Sequence, residues 1–164
     1  VVEAATELFV EQGYAATSFT SIARRAGVAR PTVFAVFGSK AALLKEALDQ
    51  ALAGDDDDVP VAERPWFRPV WKASDPAAVL HAYATVCTLI AARAAGLFEV
   101  ARRAADDSVE AQELLESLLA NRRAGAAMVV EHLLTMSEAL KDGITRERAI
   151  DRLWLLNDPA HHLS

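Results

Sequence analysis

Carboxylates are missing from one stretch of an otherwise acidic chain. The formal net charge is −6, yet no Asp or Glu occurs between Gln12 and Lys45, where Arg24, Arg25, Arg30, Lys40 and Lys45 supply five positive charges. Cysteine is nearly absent: Cys87 alone excludes an intramolecular disulfide and fits a reducing cytoplasm. No run approaches 18 charge-free apolar residues, so no membrane span is expected, and no signal-peptide pattern opens the chain. Glycine and proline are sparse and no alternating β-branched run occurs. Ala, Leu, Glu and Arg dominate instead, which favours an all-α fold. With 52% apolar residues the chain can bury a sizeable core and is not disordered.

What is present reads as helices. Val1, Val2, Ala5, Leu8 and Phe9 follow helical spacing, and Gly13 is placed to stop that helix. Ser18 or Thr17 can cap a short second helix holding Ile22, Ala23 and Ala26. Ser21 stands where a capping box wants Glu, so an incomplete cap is expected. Gly27 permits a tight turn, and Pro31 suits the first turn of a third helix. Ser39 caps a fourth, roughly 40–53, ended by Gly54. The Asp55–Asp58 run and Pro60, Pro65 and Pro69 make 55–73 a connector, its acidic run a solvated loop. Asp75–Pro76 starts a helix with Leu80, Tyr83, Cys87, Ile90 and Ala94 on one face. Gly96 is expected to break it before a short helix at about 97–105. Ser108 opens a long helical pattern to about 139, "KDG" turns the chain, Thr145 caps a helix to Leu156, and Pro159 starts another. Val1 falls mid-pattern and Ser164 comes five residues after Pro159, so both ends read as cut.

Two short helices joined by a glycine turn form a helix-turn-helix, whose second helix is shaped for a DNA major groove. The charges agree. Residues 1–54 hold five basic and five acidic side chains, the acids on flanking helices, and the remainder carries the whole excess. Phosphate attraction is local, within a Debye length of about 8 Å at physiological salt, so a basic tip on an acidic body can bind DNA.

The segment "AATELFVEQGYAATSFTSIARRAGVARPTVFAVFGSKAALL", Ala4 to Leu44, closely resembles the N-terminal DNA-binding domain of TetR-type transcriptional regulators. The resemblance implies a three-helix DNA-binding domain (1–54), the connector, and a helical ligand-binding and dimerisation domain (74–164), truncated at its C-terminal end. It also implies a homodimer on a palindromic operator in double-stranded DNA, usually released by a small-molecule effector, acting in the cytoplasm. By position, Arg30, Pro31, Thr32 and Phe34 would meet the major groove, Lys40 a phosphate, and Thr17 and Thr20 the backbone or bases. Phe34 stands where Tyr is usual, Val36 where His is common, Gly38 where Pro or another residue precedes Ser-Lys, and Ala29 where Ser often caps. Each departure removes backbone anchoring. Base readout then leans on Arg30 to guanine and on Pro31, Ala35 or Val36 against thymine methyls.

The C-terminal half is less explicit. Its long helix sets Leu115, Leu119, Arg122, Ala126, Val129, Leu133 and Met136 on one stripe and Leu114, Leu118, Asn121, Gly125, Met128 and His132 on the next. Asn121, Arg122, Met128 and His132, with Tyr83 and Cys87 opposite, are candidate pocket residues; each is equally readable as edge or core. Trp71, with Trp66 and Phe67, covers the bundle or lines a pocket mouth. Ile150, Leu153 and Trp154 are candidate dimer contacts, because that helix is apolar around more than one face. His161 and His162 lack a partner at ligand spacing, so no metal is expected, and no cofactor is implied. An enzyme with a helical body finds no nucleophile–base pair and no phosphate loop. A helical protein-interaction module remains the alternative to a regulator.

Overall fold

A computed structural model describes residues 1–136 and 143–162, side chains up to His161. Among these residues eight α-helices and two 3₁₀ turns, at Val61–Glu63 and Pro159–His162, make up the regular structure. The helices are α1 (Val2–Ala16), α2 (Phe19–Ala26), α3 (Arg30–Phe37), α4 (Lys40–Ala53), α5 (Arg68–Lys72), α6 (Pro76–Ala104), α7 (Val109–Leu134) and α8 (Arg146–Leu156). No strand occurs among the described residues: the chain is an all-α protein with an N-terminal helix-turn-helix unit followed by a helical bundle.

Local chemistry explains most boundaries. Gly13, at φ 84° and ψ 170°, breaks α1, which then resumes for one short turn. Ser18 and Ser21 make the reciprocal capping box complete after all: the Ser21 hydroxyl reaches the Ser18 backbone N–H at 3.0 Å, as a longer Glu would. Gly27 closes α2 in the left-handed region at φ 68°. Ser39, Asp75, Ser108 and Thr145 each accept a backbone N–H at the start of α4, α6, α7 and α8.

The break expected at Gly96 does not exist. α6 runs unbroken for 29 residues, about 43 Å at 1.5 Å per residue. Gly96 sits inside it where α1 crosses, and a Cβ there would lie 3.4 Å from Val10 Cγ2. The glycine thus marks a close approach of two helices. Contrary to the expectation that no run approaches a membrane span, α6 has the length and composition to cross one, its most apolar 18-residue window having mean hydropathy 1.5. It is the central helix of this bundle, packed on α1, α4, α5 and α7.

Two apolar cores are strung along α6. The first joins α1, α2, α3 and α4, through Phe9, Ile22, Val33, Leu44 and Leu48, to Leu97, Phe98 and Ala101 of α6 and Leu114 and Leu118 of α7. Packing therefore passes straight through the boundary expected near Gly54. The second gathers Phe67 and Val70 with Val79, Tyr83 and Val86 of α6 and Val129 and Leu133 of α7. The candidate functional surfaces lie at one end of the first core and between the two.

Candidate nucleic-acid interface and interior cavity

Burying Val33 and half-burying Phe37 turns the rest of α3 outward. Arg30, Pro31, Thr32, Ala35 and Val36 are exposed, and so is Thr20 on α2. Phe34 is 57% exposed, its ring edge-on to Phe19 at 6.0 Å. Such a face, eight residues long with one guanidinium and several small or apolar groups, fits a major groove.

Two of the expected DNA contacts are placed otherwise. Thr17 is 1% exposed, and its hydroxyl donates toward Leu8 O (3.1 Å) and Gly13 O (2.8 Å). It closes the broken end of α1, so its hydroxyl is taken up inside the protein. Lys40 is half-buried: its ammonium donates to Tyr14 O (2.6 Å) and Thr17 O (3.0 Å) and lies 4.2 Å over the Tyr14 ring. Partial burial pushes its pKa down. Two of its three donors are thus engaged inside the protein, leaving one for a phosphate.

The basic stretch is also less free than its residue types suggest. Arg25 forms ion pairs with Glu7 (2.7 Å) and Glu11 (3.0 Å) on α1, and those carboxylates hold its pKa up. Lys45 pairs with Asp49 one turn along α4. Arg24 and Arg30 remain exposed without an ion pair among the described residues.

Between the two cores lies a cavity of about 910 Å³. Trp71, Tyr83, Cys87, Asn121, Arg122 and Met128 all contribute to its lining, with Asn121 and Met128 at exposed positions. His132 does not: its ring stands edge-on to Trp71 at 5.2 Å, with a buried Nε2 lacking a partner. Trp71 is fixed by a 2.7 Å hydrogen bond from Nε1 to Ala62 O, and Phe67 stacks on it at 5.0 Å. Burial raises the Tyr83 hydroxyl's pKa and pushes the Cys87 thiol up to about 11, against a lowering hydrogen bond from Tyr83.

Arg122 is 12% exposed at its side chain, with Nη1 3.2 Å from Asp158 Oδ2 and the guanidinium 5.4 Å from the Trp154 ring centre. Burial opposes ionisation of Asp158, but the Ala160 N–H, Arg122 and Arg102 hold its pKa below the usual carboxylate value. Asn157 donates to the Tyr83 hydroxyl at 2.8 Å, while its own carbonyl is buried without a partner. Sequence reasoning missed Asn157 and the rim formed by Asp55–Asp58. An asparagine ending α8 carries no periodic signal, and a solvated acidic run does not announce what it borders.

The candidate dimer helix needs a correction. Ile150 is 1% exposed and belongs to the interior of its own chain, where α8 packs on α7. Leu153 and Trp154 are half-buried, Leu153 against the second core and Trp154 beneath Arg122. Leu155 and Leu156, 62% and 73% exposed, are the apolar side chains α8 offers outward. His161 meets Leu155 O at 3.0 Å, and no group of three metal-ligating residues occurs among the described residues. The "KDG" turn expected at 141–143 lies, but for Gly143, outside them.

Residues 1–47 match the family of bacterial regulatory proteins named for tetR. No curated protein matches the chain in sequence. Among solved structures, a HlyIIR mutant protein shares the fold at TM-score 0.63 and 19% identity, over 98% of this chain and 82% of that one. A protein assigned as a transcriptional regulator of Pseudomonas aeruginosa PAO1 does so at 0.68 and 16%, over 99% and 79%. The ketosteroid transcriptional regulator KstR2 of Mycobacterium tuberculosis gives 0.58 and 17%, over 95% and 79%. Fold and N-terminal motif agree: residues 1–47 match the N-terminal domain of the tetR family of bacterial regulatory proteins, and the chain as a whole shares the all-α fold of these solved structures.

Proposed function

We propose that this protein is a ligand-responsive DNA-binding transcriptional regulator, a homodimeric repressor released from a palindromic operator by a small molecule. The observation that carries the proposal is the outward face of α3, with Arg30 at its start and Phe34 half clear of the surface. Arg30 reads guanine, Pro31, Ala35 and Val36 meet thymine methyls, and Thr20 and Thr32 hydrogen-bond backbone or base edges. Arg24, exposed on α2, joins them as a phosphate contact. The cavity supports the effector part of the reading. Its volume lies within the roughly 300–1,000 Å³ of small-molecule sites, and its walls mix aromatic rings with a few polar groups.

Few free cations at the tip favour a second reading, a helical protein-interaction module that has lost specific DNA binding. Fluorescence anisotropy separates the two. The protein is tested against duplexes enriched from a random pool and against scrambled DNA, at about 150 mM salt, where non-specific binding is weak. Enrichment of a palindrome bound by two chains supports the regulator. Salt-sensitive binding to any duplex, with no enrichment, sinks it.

A further inference from the structure

We propose that the interior cavity takes an amphipathic cation: an amine carried on an aromatic or apolar body. The proposal rests on reading the cavity as an effector site and names the chemistry that site would select.

The charge of the lining is one-sided. The Asp55–Asp58 run, with Glu46, Asp49 and Glu63, sets seven carboxylates around it against two guanidiniums, Arg64 and Arg122. Each guanidinium has a carboxylate beside it. Arg64 is buried and satisfied by Asp55, by Asp57 O at 2.6 Å and by Val59 O at 2.9 Å. Arg122 faces Asp158. Asp56, Asp57, Asp58 and Glu63 have no basic side-chain partner among the described residues and stand exposed at the rim. An anion would therefore meet excess negative charge, and each guanidinium of the lining already has a carboxylate counter-ion.

The interior adds an independent observation. Asn157 lines the cavity with its Oδ1 buried and without a donor, while its amide nitrogen donates to the Tyr83 hydroxyl. An ammonium N–H supplies that missing donor. Phe67, Trp71 and Tyr83 stand along the same wall, and aromatic faces attract a cation while solvating an apolar body. Arg122 Nε and Nη1 are further buried donors without a hydrogen-bond acceptor. Because the charge of Arg122 is met by Asp158, a neutral hydroxyl or ether on the ligand suits it better than a second carboxylate.

The test is titration calorimetry of the full chain with three probes sharing one ring system: naphthylethylamine, naphthylethanol and naphthylacetate. At about 50 mM salt the amine is expected to bind about tenfold more tightly than the alcohol, the margin shrinking as salt rises, with the acetate weakest. The variant Asp56→Asn/Asp57→Asn/Asp58→Asn, confined to exposed rim positions, should bring the amine down toward the alcohol and leave the alcohol unchanged. Acetate binding as tightly as the amine overturns the proposal and puts recognition on Arg122. Equal amine and alcohol binding, or no binding of any probe, overturns it as well. Adding the probes to the operator complex keeps the two readings apart. Amine binding without DNA release would leave the ligand class standing and remove the effector reading.

Discussion

Lys40→Met is expected to destabilise the fold at least as visibly as it weakens DNA binding, because Lys40 joins α4 to the end of α1. The carbonyls of Tyr14 and Thr17 lie where α1 runs out of partners, and Lys40 Nζ satisfies both at 2.6 and 3.0 Å. Its charge also complements the negative end of α1 and sits over the Tyr14 ring at 4.2 Å. A charge-assisted hydrogen bond contributes about 1.5–3 kcal/mol when its partner is left dry. Here the site is only half-buried, and water can replace the lost donor at both carbonyls. The net loss should therefore be about 2 kcal/mol in total, discounted from the sum of the two bonds. For a chain of this size that lowers Tm by roughly 4–8 °C.

DNA titrations of the same variant resolve the role of the third donor. Should it reach a phosphate, the slope of log affinity against log salt falls by about 0.9 per half-site. A slope unchanged beside a lowered Tm makes Lys40 purely a structural tie. A Tm unchanged in Lys40→Met would refute the reasoning, because the two carbonyls would then have needed no donor.

Arg30→Ala carries the opposite signature: Tm should hold, since the side chain is exposed without an ion pair among the described residues, while discrimination at one base of each half-site falls by about 1–3 kcal/mol. Equal losses on all duplexes, measured by competition anisotropy, would make Arg30 a phosphate contact. Gly13→Ala should cost about 1–3 kcal/mol in urea unfolding, although no atom lies within 4 Å of the added Cβ, because φ 84° with ψ 170° suits glycine alone. A neutral Gly13→Ala would mean α1 straightens without penalty. Cys87 should alkylate about 100-fold more slowly at pH 8 than an unfolded thiol, its pKa being about 11 against 9.0. With the folded pKa the higher, the thiol contributes stability fully below pH 9 and loses it as pH rises toward about 11. Alkylation as fast as in urea would show an open, ordinary thiol.

The helix-turn-helix was legible because its signals are local. Ser18, Gly27, Pro31 and Ser39 each act within a few residues of where they stand, and the structure places each at the boundary it marks. Errors arose where a residue answers to something distant in sequence. Gly96 looks like punctuation along the chain, but its small size serves Val10, which α1 lays across it. Ile150 has the apolar surroundings of an interface residue, and no periodicity can say whether the covering surface belongs to the same chain. Thr17 and Lys40 occupy positions that resemblance assigns to DNA. Their polar atoms are also used on carbonyls left by the break at Gly13, a backbone event without its own residue signature beyond one glycine.

How an occupied cavity would be felt at the DNA face follows from α4. Lys40 at its first turn is tied to the end of α1, and Leu43, Leu44 and Leu48 share the core of the helix-turn-helix. Further along, Glu46, Asp49, Gln50 and Ala53 line the cavity. One helix of 14 residues, about 21 Å long, is therefore both support for α3 and wall of the pocket. A rigid rod cannot yield at one end alone. A ligand that fits the cavity better with α4 displaced would favour the displaced arrangement in proportion to that difference in affinity. Because α1 and α4 share a core with α6 and α7, the displacement must repack Leu97, Phe98 and Leu118 as well. Close-packed cores of this kind move between discrete arrangements. That makes an all-or-none response of the DNA face the physical expectation, and a graded swing of the recognition helix the result that would contradict it.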